Sequence, residues 1–389
     1  RSYLVFPAVT FLCLGGIPLR IANMQFANLY PKHRSSIIAL YSGAFSASAI
    51  TFVLLKYLFE NGVTFFWTNS ILVFFTFLMT LFTFTLLPKD KVREESLSES
   101  NEQLTFTRNG HSCRTLQQLS PVTLEKFTFV TSSFRKASVQ PKTNLVLSAR
   151  NSQSTIESTP KELPLKYSLL SLPYMLHQWW YSWLITYLIM YVGSMNLWLQ
   201  RITSDTSKAD HLVKIYGALQ VLALLIAPIA GFIMDREVNR ADSEPNPELR
   251  WLKKIKSGFW PMIFTTSCVA AILIVRFFDD EKAVYASIVF ITLFRSFLVA
   301  VSSAFLRIRF PAEHFNRLLG ILSTVGACVT LIQFPLFVLE ANSTQNAFWV
   351  NVFNCFCTLI AYLNPLHLSI TSLQIYFMKK EKKQWLMAQ

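Results

Sequence analysis

The run GALQVLALLIAPIAGFIM, residues 217–234, carries no charged residue over eighteen positions. That approaches the roughly 20 residues a helix needs to cross a bilayer's hydrocarbon core. ILVFFTFLMTLFTFTLL, residues 71–87, is of the same kind. Segments like these constrain the fold sharply, because a backbone in lipid must satisfy its own polar groups and helix is the local way to do so. Comparable apolar segments lie at 2–24, 37–59, 66–87, 173–195, 212–234, 258–277, 284–306, 319–339 and 347–370. With 52% hydrophobic side chains in 389 residues, the chain exceeds what one soluble core would bury. An all-α polytopic membrane protein of about nine spans is expected.

Between the third and fourth segments, residues 89–172 are Ser/Thr-rich, charged and without apolar period, which predicts a flexible linker. The domain plan is therefore 1–88, three helices; 89–172, linker; 173–377, a six-helix bundle; and 378–389, a basic tail. The net charge of +14 is spread between the spans rather than gathered on one face, which argues against nucleic acid as a partner. Alternate loops differ strongly. One side holds fifteen Lys and Arg, among them Lys32, Arg34, Arg240, Lys253, Lys256, Arg309 and the tail lysines, and the other holds Arg201, Lys208 and Lys282. The basic side is cytoplasmic by the positive-inside rule, with the linker and C-terminus on it. Three spans, a linker and six spans become regular if three more spans precede Arg1, giving six, linker, six. Such a plan places a substrate near the midplane between two rocking bundles.

Several intramembrane polar residues are candidates for that site. Arg295 stands at the centre of 284–306, where lipid exposure would cost about 2.5–3.5 kcal/mol, so it faces protein or water. It reads either as a substrate donor or gate, or as a tie to neighbouring carbonyls. Ser302 lies on the same helical face, seven residues on, amid the small Ala300, Ser303 and Ala304. Gln220, Gln333 and Asn23 can match a polar ring edge or hydrogen-bond a neighbouring helix. Gln25 lies close to Asn23, and Gly15, Gly16 and Pro18 loosen the same segment. Gln178 opens an aromatic cluster with Trp179, Trp180, Tyr181 and Trp183, which can stack on a planar solute or form an interfacial belt. Gly43, Ala44, Ser46, Ala47, Ser48 and Ala49 are small enough for close helix contact.

No visible span has an Asp or Glu near its middle to take a proton or hold sodium, which favours equilibrative uniport. Catalytic constellations, metal-ligand spacings and phosphate-cradling loops are absent from the sequence, so neither an enzyme nor a cofactor is expected. Five cysteines, Cys13, Cys268, Cys328, Cys355 and Cys357, lie in apolar segments and Cys113 in the linker, which implies no disulfide framework. The linker's Arg135-Lys136-Ala137-Ser138 has a basophilic phosphorylation pattern, and Asn342 opens a glycosylation sequon in a very short outer loop.

GFIMDR, Gly231 to Arg236, followed by Arg240, resembles the G-x-x-x-D-R loop motif of the major facilitator superfamily. It falls between the second and third helices of a bundle, where that motif belongs. Further stretches are similar to solute carrier family 43: NMQFANL from Asn23, HRSSIIALYSGAF from His33, RSFL from Arg295, FPAEHFNRLLG from Phe310 and WVNV from Trp349. The resemblance runs nearly end to end, the linker excepted. It implies the major facilitator fold with about nine of twelve helices present, a small-molecule substrate and a plasma-membrane location. Gly231, Asp235, Arg236 and Arg240, with Glu313, His314 and Arg317 of the FPAEHFNRLLG stretch, would then be gating residues.

The family contains large neutral amino acid facilitators and an equilibrative nucleobase transporter. IQFPLF from Ile332 is more similar to the nucleobase branch. After Gly43-Ala44-Phe45 this chain continues Ser46, Ala47 and Ser48 where the family pattern has an Asp. The expected activity is facilitated movement of purine nucleobases, with Arg295, Gln220, Gln333, Asn23 and Gln178 as polar contacts. A neutral amino acid facilitator, with Arg295 facing a carboxylate, and a non-transporting scaffold remain the alternatives.

Overall fold

The computed structural model describes residues 30–48, 50–86, 164–203 and 205–388, with isolated positions between 7 and 27. The expected linker lies largely outside the described residues, as do Asn23, Gln25, Cys13, Cys113 and Ser138. Fifteen α-helices lie among the described residues. They are α1 Arg34–Ala47, α2 Ile50–Glu60, α3 Phe65–Leu86, α4 Leu165–Leu169, α5 Leu172–Ile202, α6 Thr206–Leu219, α7 Ala223–Asp242 and α8 Pro247–Lys256. Then follow α9 Phe259–Val275, α10 Glu281–Arg309, α11 Ala312–Thr330, α12 Gln333–Asn342, α13 Thr344–Ala361, α14 Leu363–Ser369 and α15 Thr371–Ala388.

Seven stretches among the described residues are long and apolar enough to span a membrane. They match seven of the nine apolar segments. The first segment is mostly outside the described residues, and the second is divided between α1 and α2. Two compact units arise, residues 1–64 with 161–389, and 65–160. In the second unit α3 is an uninterrupted 22-residue helix whose hydroxyls, Thr76 and Thr80 among them, bond back to carbonyls four residues earlier. That local satisfaction is what an apolar surrounding demands.

In the first unit α5 and α10 are the most buried spans. The core around them holds Trp180, Trp183, Trp198, Phe294 and Phe305. Trp180 Nε1–H donates to Thr266 Oγ1 of α9 at 2.8 Å, and Tyr191 shares a 2.8 Å hydroxyl bond with Ser287 of α10. Outward, the polarity is inverted relative to a soluble protein: Leu225, Phe232, Trp260, Phe356 and Leu359 are exposed. A surface of that kind is solvated by lipid.

Three spans are interrupted, and two of the breaks have a local cause. Proline cannot donate a backbone bond and its ring collides with the carbonyl four residues earlier. Pro335 collides in this way with Leu331, where α11 gives way to α12, and Pro365 with Ala361, where α13 gives way to α14. Between α6 and α7 the chain tightens into a 3-10 turn, Gln220–Leu222, two turns before Pro228. Helix starts are also explained locally. Asn246 accepts from Glu248 N–H at 3.0 Å ahead of Pro247, and Ser343 Oγ accepts from Asn346 N–H at 3.1 Å.

Candidate functional site

Two polar assemblies lie inside the apolar frame, one at mid-span and one at the basic end. The mid-span group is built on the 3-10 turn. Tightening there turns Gln220, only 2% exposed, toward α10, where its Nε2–H donates to Thr292 Oγ1 at 3.2 Å. Its Oε1 is buried without a partner. Four residues earlier on α6, Tyr216 presents a buried hydroxyl to Arg295 without a hydrogen bond of good geometry. Thr292 and Arg295 are neighbours on one face of α10, as Tyr216 and Gln220 are on the α6 side. No carboxylate among the described residues forms an ion pair with Arg295. The group thus offers a lone amide acceptor, a guanidinium with donors to spare and a phenol. An unmet buried acceptor costs about 1–3 kcal/mol, so a ligand or water that donates to it recovers free energy.

Other expected contacts fall elsewhere. Gln178 has its hydrogen-bonding capacity occupied: Nε2 donates to Ser182 Oγ at 2.8 Å and to the Leu322 carbonyl at 3.1 Å, and Oε1 accepts from Tyr174. It ties α5 to α11. Gln333 is half-buried and lines a cavity of about 260 Å³ with Met190, Gly193, Phe334 and Phe337, apart from Gln220. Ser302 bonds His177 at 3.2 Å rather than joining Arg295. Of the aromatic cluster, Trp180 and Trp183 are core residues, and Trp179 is partly exposed.

At the basic end of the bundle, Asp235 of α7 meets the first turn of α1. Its Oδ1 accepts from Ser35 N–H at 2.8 Å, and its Oδ2 accepts from Ser36 N–H and Ser36 Oγ–H, both at 2.7 Å. His33, the N-cap of α1, supplies no side-chain bond, so Asp235 caps that helix from a distant segment. A carboxylate at a helix N-terminus meets both orphan donors and the positive end of the dipole. Gly231 makes the approach feasible, since a Cβ there would lie 2.5 Å from the Ser35 carbonyl oxygen. One turn on, a Cβ on Gly43 would lie 2.8 Å from Ala227 Cβ. Of the small residues in 43–48, Gly43, Ser46 and Ala47 are buried, whereas Ala44 and Ser48 are exposed.

Among the remaining gating candidates, Arg236 is exposed and Arg240 pairs with Glu237 on its own helix at 2.8 Å. His314 is buried against Ser168 of α4 at 2.9 Å, while Glu313 and Arg317 are exposed.

One cluster escaped the sequence reading. Glu340, 4% exposed at the end of α12, accepts from Arg276 at 2.7 Å and lies 3.4 Å from Arg201. Arg276 also donates to Ser194 at 3.0 Å and lies over the Trp198 ring. In the sequence these charges stand at the edges of apolar runs and look like loop residues.

Comparison with known proteins bears on this geometry. The family described as Major Facilitator Superfamily matches residues 11–327. The chain is 27% identical over 378 residues to "Equilibrative nucleobase transporter 1" of Bos taurus, covering 94% of this chain and 72% of that protein. It is 23% identical to "Large neutral amino acids transporter small subunit 3" of Homo sapiens, covering 94% and 71%. These relatives agree with the solute carrier family 43 resemblance. Among solved structures, a bacterial homologue of the iron transporter ferroportin in an outward-facing state aligns over 92% of this chain and 88% of its own. Its TM-score is 0.40 at 15% identity, which places no residue.

Proposed function

Because the chain belongs to the major facilitator superfamily and is a multi-pass membrane transporter by that kinship, we propose that it moves purine nucleobases by facilitated, sodium-independent uniport. The plasma membrane is the location we assign it. The observation that carries the reading is the mid-span group of Tyr216, Gln220, Thr292 and Arg295. A purine edge alternates ring-nitrogen acceptors with N–H donors. Gln220 Oε1 would accept from such a donor, and Arg295 and Tyr216 would donate to acceptors. A neutral heterocycle needs no fixed counter-charge, which suits a guanidinium with no carboxylate beside it. The similarity to a protein named as a nucleobase transporter supports the same substrate class.

Alternating access would use the α1–α7 contact as a cytoplasmic gate. With Asp235 capping α1, that gate is shut; breaking the cap would open a path to the cytoplasm. A second reading, a large neutral amino acid facilitator, is favoured by one observation: Arg295 can equally hold a carboxylate in a bidentate pair. Uptake of labelled adenine and labelled leucine by cells expressing the protein, each with and without sodium, separates the two. Adenine uptake independent of sodium is expected. Leucine uptake without adenine uptake would overturn the nucleobase reading. Arg295→Ala should lower adenine uptake about tenfold or more at unchanged surface expression, a loss of one tenfold step being about 1.4 kcal/mol.

A further inference from the structure

A second pocket lies on the flank of the bundle at its basic end, remote from the mid-span group. It is a cavity of about 500 Å³ where α7, α8, the start of α9 and the end of α14 converge. Arg240, Lys253 and Lys256 line it, with Glu237 as its one acidic wall residue. Ile233, Phe259, Trp260 and Leu368 form the apolar part. Trp260 is 71% exposed at the start of α9, directly after the basic α8. The pocket therefore joins a basic wall to an apolar one.

We infer that this pocket holds the headgroup of an anionic phospholipid of the cytoplasmic leaflet. Its phosphate would lie among Arg240, Lys253 and Lys256, and its acyl chains would run along Ile233 and Trp260. The local ion pairs do not pre-empt this. Arg240 pairs with Glu237, Lys253 with Glu244, and Lys254, just outside the pocket, with Asp242 at 2.6 Å. These pairs are substantially exposed, and such pairs are weak, so a phosphate carrying full charge competes for the cations. Lys256 is bound only to a neutral hydroxyl, Thr371 Oγ1 at 2.8 Å. The donors are held in place: Asn246 caps α8, whose last turn carries Lys253, Lys254 and Lys256, and Leu252 and Ile255 anchor its other face. A membrane-facing pocket meets lipid headgroups at far higher local concentration than soluble anions, and anionic lipids populate the cytoplasmic leaflet, where each nearby Lys or Arg strengthens binding.

The test uses the purified full chain in phosphatidylcholine nanodiscs containing a fluorescent phosphatidylinositol bisphosphate, with retention read by energy transfer from Trp260 and its neighbours and by native mass spectrometry. The double variant Lys253→Gln/Lys256→Gln should weaken retention about 25-fold, near fivefold per charge removed. Lys379→Gln/Lys380→Gln on α15 should leave it unchanged. Equal retention by wild type and the pocket variant would overturn the inference, as would equal loss in the α15 variant, which would make the binding a generic charge effect. Millimolar inorganic phosphate should not displace the lipid; displacement would mark a soluble-anion site instead. Since the readout is binding, it stands whether or not the protein carries adenine.

Discussion

Gln220 illustrates how little a residue's type says about its role. In the sequence Gln220 is an amide inside an apolar run, and Gln178 is an amide beside an aromatic cluster. Gln178 is saturated by Ser182, Tyr174 and the Leu322 carbonyl, whereas Gln220 keeps a buried acceptor without a partner. We expect Gln220→Leu to leave thermal stability unchanged or slightly raised, because it removes an unmet polar atom, while adenine uptake falls at least tenfold. Gln178→Leu should do the opposite, lowering the unfolding temperature with little change in substrate affinity. Fluorescence-detected size exclusion after heating, beside uptake kinetics, checks both; a Gln220→Leu protein with full uptake would remove the residue from the site.

Among elements, the decisive contact is α1 on α7. Gly231 is mid-helix, where replacement by Ala normally stabilises a helix by about 0.8–1.0 kcal/mol. Here the added Cβ would meet the Ser35 carbonyl oxygen at 2.5 Å, so packing opposes propensity. We expect Gly231→Ala to force α1 and α7 apart at this contact, seen as increased labelling of a cysteine introduced at the buried Ser35, whose backbone N–H alone bonds Asp235. Asp235→Asn retains an acceptor but loses the charge at the helix N-terminus, worth about 0.3–1 kcal/mol, and should shift the same labelling in the same direction by a smaller factor. No increase in either variant would mean that the contact is not a gate. The motif GFIMDR was legible as a motif. Its partner was not, since Ser35 and Ser36 carry no sign that their backbone N–H groups would need an acceptor two hundred residues away.

For the molecule as a whole, charges buried at the ends of α5, α9 and α12 link those spans. Glu340 joins α12 to the end of α9 through Arg276 and to α5 through Arg201. Removing one partner of a buried pair leaves an uncompensated charge and typically costs about 3–5 kcal/mol. Glu340→Ala should therefore lower the unfolding temperature clearly, and Glu340→Gln with Arg276→Met should recover most of that loss. If the single variant melts with the wild type, the cluster does not hold the spans together.

The sequence by itself determined that the chain crosses a membrane repeatedly, where most spans lie and which superfamily it belongs to. Those properties are linear: apolar length sets a span, loop charge sets its orientation and a contiguous motif carries kinship. Tertiary structure alone decided which polar residues meet. Gln220 reaches Thr292, Asp235 reaches Ser35 and Glu340 reaches Arg276 because helices distant in sequence pack side by side. Inside an apolar medium a polar atom's cost depends on whether a neighbour satisfies it, and no single segment encodes its neighbour.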